Sequence, residues 1–276
     1  MAKIHNVLFT TIFLIFSSTG FSDAIKPTEF DRIMIQEFEE ESKIPFDEFV
    51  SRVLHEKEYC VEVNAPCVGT ISKRAADYGL IVKGLDTFGQ FGKSEKRTFV
   101  ANQISMNLDI IATLTNISPR KLSDVDANSF LYILFVDQEA YVADRAGYIA
   151  ENIEIEEGAS QTSKNAIFEN FIKQGHKCMY WQGLSQSNVI LATHIWIRSD
   201  LTNRELEMCI NEELYNSFGV DDGFEYGSIY EWPTISKHTH DLPHTHWLIL
   251  RILYSDDFFA GQDETITRKH IAKYLE

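Results

Sequence analysis

Positively charged residues are scarce in this sequence of 276 residues, which contains 25 lysines and arginines against 41 aspartates and glutamates. The formal net charge is −16 at pH 7. A surface of that charge repels the phosphates of nucleic acids and the anionic surface of a membrane. We therefore expect neither nucleic acid nor an anionic membrane as a partner.

Long apolar runs are also lacking, apart from one near the start of the chain. Residues 7–16, VLFTTIFLIF, follow a short segment that carries Lys3 and precede small residues at Ser22 and Ala24. This run is shorter than the roughly 20 residues that cross a bilayer, and the arrangement is typical of a cleavable signal peptide. The sequence predicts a signal peptide over 1–24, no stable membrane insertion after cleavage, and a periplasmic or secreted location.

The signatures of several enzyme classes are absent. The sequence has no G-x-S-x-G nucleophile motif, no phosphate-binding loop and no dinucleotide-binding fingerprint. Each of these motifs is the local sequence that its chemistry requires. Any catalytic function must therefore be sought in another pattern.

Cysteine is rare, with four residues: Cys60, Cys67, Cys178 and Cys209. An even number in an exported chain indicates two disulfides, for which three pairings are possible. The short spacing across CVEVNAPC favours Cys60–Cys67, which leaves Cys178–Cys209 as the second pair. Four thiolates on one zinc ion are disfavoured because no C-x-x-C spacing occurs.

Apolar periodicity predicts an α+β fold with a mixed sheet. The predicted strands are 78–82, 130–136 and 189–198, and the predicted helices are 28–41, 46–54, 94–114, 162–173, 201–218, 246–254 and 264–275. We interpret residues 25–76 as an N-terminal helical extension that packs on a main domain over 77–276. Ser199-Asp200 are predicted to cap helix 201–218, and Gly219 to end it.

Helix 201–218 carries the most informative pattern. Its apolar stripe comprises Leu206, Ile210, Leu214 and Phe218, and the band along one edge of the stripe comprises Cys209, Glu212, Glu213 and Asn216. A carboxylate beside a buried stripe costs free energy unless it is paired or hydrogen-bonded. Glu213 is therefore the leading candidate for a perturbed group, and a solvated helix face is the alternative.

The spacing in this segment matches that of metzincin zinc peptidases, H-E-x-x-H-x-x-G-x-x-H/D, in which histidines bind zinc and the glutamate is the general base. Here the residues are E-E-x-x-N-x-x-G-x-x-D. Glu213 lies at the position of the catalytic base, Gly219 at the turn and Asp222 at the third ligand. Glu212 and Asn216 stand where the two other histidines would be.

Two further motifs extend this resemblance. FEYGSIY at 224–230 resembles the Met-turn segment of astacin-like peptidases, with Tyr230 in place of the methionine. The run C-I-x-E-E-L-x-N-x-x-G, then S-I-Y, then L-P-x-x-H-x-x-x-L-R-I-L-Y resembles a bacterial exported family known as domain of unknown function 2927. By that match the marked positions are Glu212, Glu213, Gly219, Ser228, Arg251 and Tyr254, with His246 in place of the family's aspartate. The resemblance implies a metzincin-like fold with an active-site-type helix and C-terminal helices, and it implies no established activity.

The residue types argue against ordinary zinc proteolysis. An asparagine amide is a poor zinc ligand. The carboxylates of Glu212 and Asp222 suit calcium, magnesium or manganese better than zinc. One divalent ion of that kind is the cofactor that the helix would accept.

A histidine-rich segment, KHTHDLPHTHW, follows the Met-turn-like motif. Alternating histidines such as His240 and His244, together with Asp241, can share a metal ion when the chain is extended. One alternative is a solvent-exposed loop with incidental metal affinity. In the other, His246 begins the last helix and takes the place of the family's aspartate.

Three functions remain open from the sequence. The first is an exported domain that binds a peptide or a partner protein in a degenerate peptidase cleft, without conventional zinc proteolysis. The second is a divalent-metal-dependent hydrolase in which Glu213 is the general base. The third is a purely structural envelope protein in which the glutamate pair makes buried hydrogen bonds.

Overall fold

A computed structural model of the chain describes residues 26–55, 69–88, 94–153, 161–220 and 244–276. The predicted signal peptide over 1–24, the predicted Cys60–Cys67 pair and the residues Asp222, Ser228, Tyr230, His240 and Asp241 lie outside these ranges. No helix within them has the length and apolar character of a membrane span.

A five-stranded mixed sheet forms the centre of the fold, as expected for the α+β class. Its strands are β1 (Tyr78–Lys83), β2 (Pro119–Arg120), β3 (Phe130–Val136), β4 (Cys178–Leu184) and β5 (Ile190–Arg198). Their spatial order is β2-β1-β3-β5-β4. All neighbouring pairs are parallel except β4 and β5, which form an antiparallel hairpin. β4 is therefore an edge strand of the described sheet.

Nine α-helices are present among the described residues. They are α1 (Glu29–Ser42), α2 (Phe46–His55), α3 (Ser94–Thr115), α4 (Gln138–Ala143), α5 (Arg145–Asn152), α6 (Gln161–Gln174), α7 (Asn203–Asn216), α8 (His244–Leu253) and α9 (Glu264–Leu275). Short 3-10 helices occupy Leu85–Phe88 and Leu122–Asp124.

Helices cover both faces of the sheet, so the central strand β3 is buried throughout. Alternate residues of a strand point to opposite faces. In β3 the residues of the first core are Leu131, Ile133 and Phe135, and those of the second are Phe130, Tyr132, Leu134 and Val136. This two-sided burial explains why β3 is a continuous apolar run rather than an alternating one.

The N-terminal helices pack on the first core together with α8 and α9. Thr28 and Asp31 form a reciprocal capping box at the start of α1. The buried carboxylate of Asp31 also accepts from the guanidinium of Arg251 on α8. Arg251, which the family resemblance marks, therefore ties α1 to α8.

The predicted capping of the helix at 201–218 was wrong. The helix begins at Asn203, and Thr202 is its N-cap. The Thr202 hydroxyl accepts a hydrogen bond from the main-chain N–H of Glu205, and the Glu205 carboxylate accepts one from the main-chain N–H of Thr202. These bonds from Thr202 hold the pKa of Glu205 down at about 2. Asp200 instead pairs with Arg198 at the end of β5.

Candidate functional site

Helix α7 is held in place by its apolar stripe and by one buried polar contact. The side chains of Leu206, Ile210, Leu214 and Phe218 are all buried, as the periodicity predicted. Asn107 on α3 donates from Nδ2 to Oδ1 of Asn211 at 2.7 Å, and both residues are buried. These contacts fix which edge of α7 faces β4.

Two ties join α7 to the edge strand β4. Cys178 and Cys209 form a disulfide with a Cα–Cα distance of 5.7 Å, which confirms the predicted pair. Nε2 of Gln182 donates to the main-chain oxygen of Asn216 at 3.0 Å. Because alternate residues of a strand share a face, the side chain of Tyr180 lies on this same side of β4.

The polar edge of α7 lies between these two ties. Glu213 is only 5 % exposed and Asn216 only 4 %, whereas Glu212 is half-buried. The alternative of a solvated helix face is therefore wrong for Glu213. Oδ1 of Asn216 accepts no hydrogen bond from any residue that the structure describes. Two of the three polar side chains on this edge, those of Glu213 and Asn216, are thus nearly buried.

The main-chain groups of β4 alternate between bonding to β5 and pointing out of the described sheet. Arg198 donates from its main-chain N–H to the oxygen of Lys177 at 3.0 Å, and Cys178 lies opposite Ile197. In an antiparallel pair, bonded and non-bonded positions alternate. The main-chain groups of Met179, Trp181 and Gly183 therefore bond to β5, and those of Cys178 and Gln182 point away from the sheet.

Gly219 lies in the turn after α7, which ends at Asn216 with Ser217 as its C-cap and so stops before the predicted end at Gly219. Its φ is +95°, and an added Cβ would overlap the main-chain oxygen of Ser72. Glycine alone adopts this backbone region without a steric penalty. Gly219 therefore directs the chain over segment 69–74 immediately after the helix.

Tyr254, the residue after α8, holds the same junction together. Its hydroxyl donates to the main-chain oxygen of Phe218 at 3.0 Å and accepts from the main-chain N–H of Arg74 at 2.9 Å. Burial raises the pKa of Tyr254. Nζ of Lys73 donates to the main-chain oxygen of Leu253, the last residue of α8, and to that of Phe258 in the segment that follows. Burial lowers the pKa of Lys73 to about 8.

Arg74 is a buried residue that the sequence reasoning missed. Its Nη2 donates to Oγ1 of Thr193 at 2.7 Å and to the oxygen of Phe130 at 3.3 Å. The guanidinium carbon lies 4.8 Å from the ring centre of Tyr78. Burial lowers the pKa of Arg74 to about 10. No carboxylate pairs with it in the described part of the chain, so this cation is held by carbonyl oxygens, a hydroxyl and aromatic rings.

The histidine-rich segment divides at the start of α8. His244 is the first residue of that helix, and His246 is fully buried between the rings of Phe49 and Tyr215, at centroid distances of 5.6 and 5.5 Å. Burial lowers the pKa of His246 to about 3. His246 is therefore a neutral core residue, and the interpretation of an exposed loop is wrong at this position.

Within the described ranges, no group of three or more histidine, cysteine, aspartate or glutamate side chains has the arrangement of a metal site. The described part of the predicted metal site comprises Glu212 and Asn216, beside Glu213. These residues offer carboxylate and amide oxygens, which suit magnesium, calcium or manganese better than zinc. The remaining predicted ligand on this helix motif, Asp222, lies outside the described ranges.

Comparison with known proteins adds no assignment. The chain matches no family model, and no curated protein and no solved structure is significantly similar to it. The resemblance, whose motifs lie in residues 205–260, therefore stays a prediction.

Proposed function

We propose that this chain is an exported binding domain that captures an extended peptide segment, or an extended segment of a partner protein, along the outer edge of β4. The segment would lie over the polar edge of α7, and conventional zinc proteolysis would not occur. We therefore prefer the binding function over the metal-dependent hydrolase and over the purely structural protein.

The observation that carries the proposal is the direction of the β4 main chain. Cys178 and Gln182 point their N–H and C=O groups away from β5, and both side chains contact α7. An extended peptide that joins such an edge gains main-chain hydrogen bonds, and its alternate side chains reach the neighbouring surface. Here that surface is the edge of α7 that carries Glu213.

The chemistry of α7 supports binding rather than zinc hydrolysis. Glu212 and Asn216 occupy the positions at which a metzincin helix has histidines, and an asparagine amide is a poor zinc ligand. A helix that follows the last strand of a mixed sheet and is followed by a turn at Gly219 is compatible with the metzincin-like fold that the resemblance implies. The disulfide between Cys178 and Cys209 is compatible with export, because disulfides persist in oxidising compartments.

A phage-displayed library of random decapeptides, selected against the immobilised mature chain, tests the proposal. The tightest selected peptide is then added to labelled protein, and amide exchange is followed residue by residue with NMR. We expect slower exchange at Cys178 and Gln182, because their N–H groups face the added strand. The amides of Met179, Trp181 and Gly183 already bond to β5 and serve as internal controls.

An N-methyl scan of the selected peptide provides the matched control. Methylation at alternate residues should abolish binding, and methylation at the residues between them should leave it unchanged, because only every second amide faces β4. A library without binders, or exchange protection confined to other parts of the chain, would contradict the proposal. Cleavage of the bound peptide that is lost in Glu213→Gln would favour the hydrolase instead.

A further inference from the structure

We propose that a second extended segment docks at the opposite end of the sheet, along the open side of β1, and inserts one leucine, isoleucine or phenylalanine side chain into a cavity beside α3. This site is separate from the outer edge of β4 and does not depend on the proposed function. Two features define its occupant, an open main-chain edge and an apolar cavity, and they meet at Leu80 and Val82.

The main chain of β1 is open on one side over most of its length. The N–H of Tyr78 points to the side of β2, where it donates to the main-chain oxygen of Ser118 at 3.4 Å. Alternate residues of a strand direct their main-chain groups to the same side, so those of Leu80 and Val82 also face the side of β2. β2 ends at Arg120 after only two residues, and no strand of the described ranges continues it. Val82 therefore presents its N–H to a position that an added strand would fill.

A cavity of about 260 Å³ adjoins this open side, between β1 and α3. Its apolar lining comes from Leu80, Val82, Leu85, Ala101, Ile104, Leu108 and Pro119. Ser105 and Asp109, two residues one helical turn apart on α3, complete the lining. Ala101, Ser105 and Asp109 are exposed. The cavity therefore opens to solvent, and a ligand side chain can enter it without displacing a buried residue.

The size and lining of the cavity favour one apolar side chain of a strand. Pockets for small molecules commonly measure about 300–1,000 Å³, and this cavity lies below that range. Burial of a large apolar side chain against aliphatic surface is favourable, whereas an acidic side chain would meet the like charge of Asp109. Leu80 and Val82 share one face of β1. A strand added beside them can bond to their main chain and direct alternate side chains to that same face.

A counter-selection isolates the peptides that need this site. Random decapeptides displayed on phage are selected against the immobilised mature chain and depleted on Ala101→Trp, whose indole fills the mouth of the cavity. Ser105→Trp takes its place if that variant folds poorly. We expect leucine, isoleucine or phenylalanine at one aligned position of the retained peptides. Replacing that residue with alanine should weaken binding to the parent chain at least about tenfold in fluorescence polarisation.

Met106→Trp is the matched control variant. Met106 is also exposed on α3, but it lies about 140° around the helix from Ala101 and does not line the cavity. The retained peptides should bind Met106→Trp as tightly as the parent chain, and Ala101→Trp at least about tenfold more weakly. Equal losses in the two variants would show that an indole anywhere on α3 disturbs binding, and would overturn the inference.

Amide exchange separates this site from the outer edge of β4. With a retained peptide bound, exchange should slow at Val82, while Ile81 and Lys83 direct their amides to β3 and serve as internal controls. Protection at Cys178 and Gln182 instead would assign these peptides to β4, which overturns this inference and supports the proposed function. A selection without any peptide that distinguishes the parent chain from the variant with the filled cavity would also overturn the inference, and would leave capture at β4 unaffected.

Discussion

Residues of the motif that spans α7 and α8 fall into two groups with different surroundings. The first group comprises Gly219, Arg251 and Tyr254, and the second comprises Glu212, Glu213 and Asn216. The polar atoms of the first group bond to other parts of the chain, namely Asp31, Phe218 and Arg74. The second group lies at the edge of α7 beside β4. In this group, the amide oxygen of Asn216 receives no hydrogen bond from the described residues.

This difference shows that residues of one sequence pattern can serve two separate purposes. The first group joins helices and loops, so its loss should unfold the protein. In the second group, the amide oxygen of Asn216 is buried without a hydrogen bond from the described residues, and such an oxygen costs free energy. We therefore expect the second group to affect binding more than stability. The following predictions test that separation.

The largest effect is expected at Gly219. Gly219→Ala forces a side chain into the left-handed region and against the main chain of Ser72, so we expect the free energy of unfolding to fall by more than about 4 kcal/mol. Gly175→Ala is the control, because Gly175 also has a positive φ but an added Cβ would meet nothing within 4 Å. Urea denaturation compares the two. Equal losses would show that the contact with Ser72 is unimportant.

Removal of the disulfide between β4 and α7 tests how far this link supports stability and peptide binding. The bond closes a separation of 31 residues, for which chain entropy predicts a stabilisation of about 4 kcal/mol. The double variant Cys178→Ala/Cys209→Ala should therefore unfold at lower urea concentration. It should also bind the selected peptide more weakly while still folded, since β4 is no longer fastened to α7. An unchanged urea midpoint would contradict this prediction.

The buried imidazole of His246 on α8 should make the stability of the fold sensitive to acid. Burial lowers the pKa of His246 from 6.5 to about 3, so the folded state binds fewer protons than the unfolded state between these values. The free energy of unfolding should be highest above pH 6.5 and should fall by about 1.4 kcal/mol per pH unit through this window, before other groups are counted. His246→Leu should flatten this dependence in urea titrations at several pH values.

His176→Gln is the control for that prediction, because His176 lies near the surface and its ring is only partly buried. This variant should retain the acid sensitivity of the parent chain. If His246→Leu and the parent lose stability equally on acidification, the acid sensitivity arises elsewhere.

Much of the fold was predictable from local pattern. The right element types followed from the continuous apolar run of β3 and from the periodic apolar residues of α3, α7 and α9. A helix or strand that buries one face has apolar residues at the spacing of that face. Strand β4 was missed because Cys178–Leu184 is half-buried and contains Gln182 and Gly183, so it has neither a continuous nor an alternating apolar pattern. Its strand conformation depends on pairing with β5.

The site was predictable only in part, for a similar reason. The edge of α7 and the disulfide followed from helical spacing and cysteine pairing. The burial of Arg74 and His246 did not, because it depends on segments distant in sequence that cover these side chains. Nothing in the residues next to Arg74 indicates that the ends of β3 and β5 will supply its hydrogen-bond acceptors.

The most direct test of the account compares Glu213→Gln with Tyr254→Phe in the same two assays, urea denaturation and binding of the selected peptide. Tyr254→Phe removes two hydrogen bonds at a buried junction, so its free energy of unfolding should fall by about 2 kcal/mol while the folded protein still binds. Glu213→Gln keeps the shape of the side chain, so its free energy of unfolding should fall by less than that of Tyr254→Phe, while binding of the peptide over this edge of α7 weakens at least about tenfold. The reverse result, with Glu213→Gln destabilised as strongly as Tyr254→Phe and binding unchanged, would assign Glu213 to the fold and contradict the account.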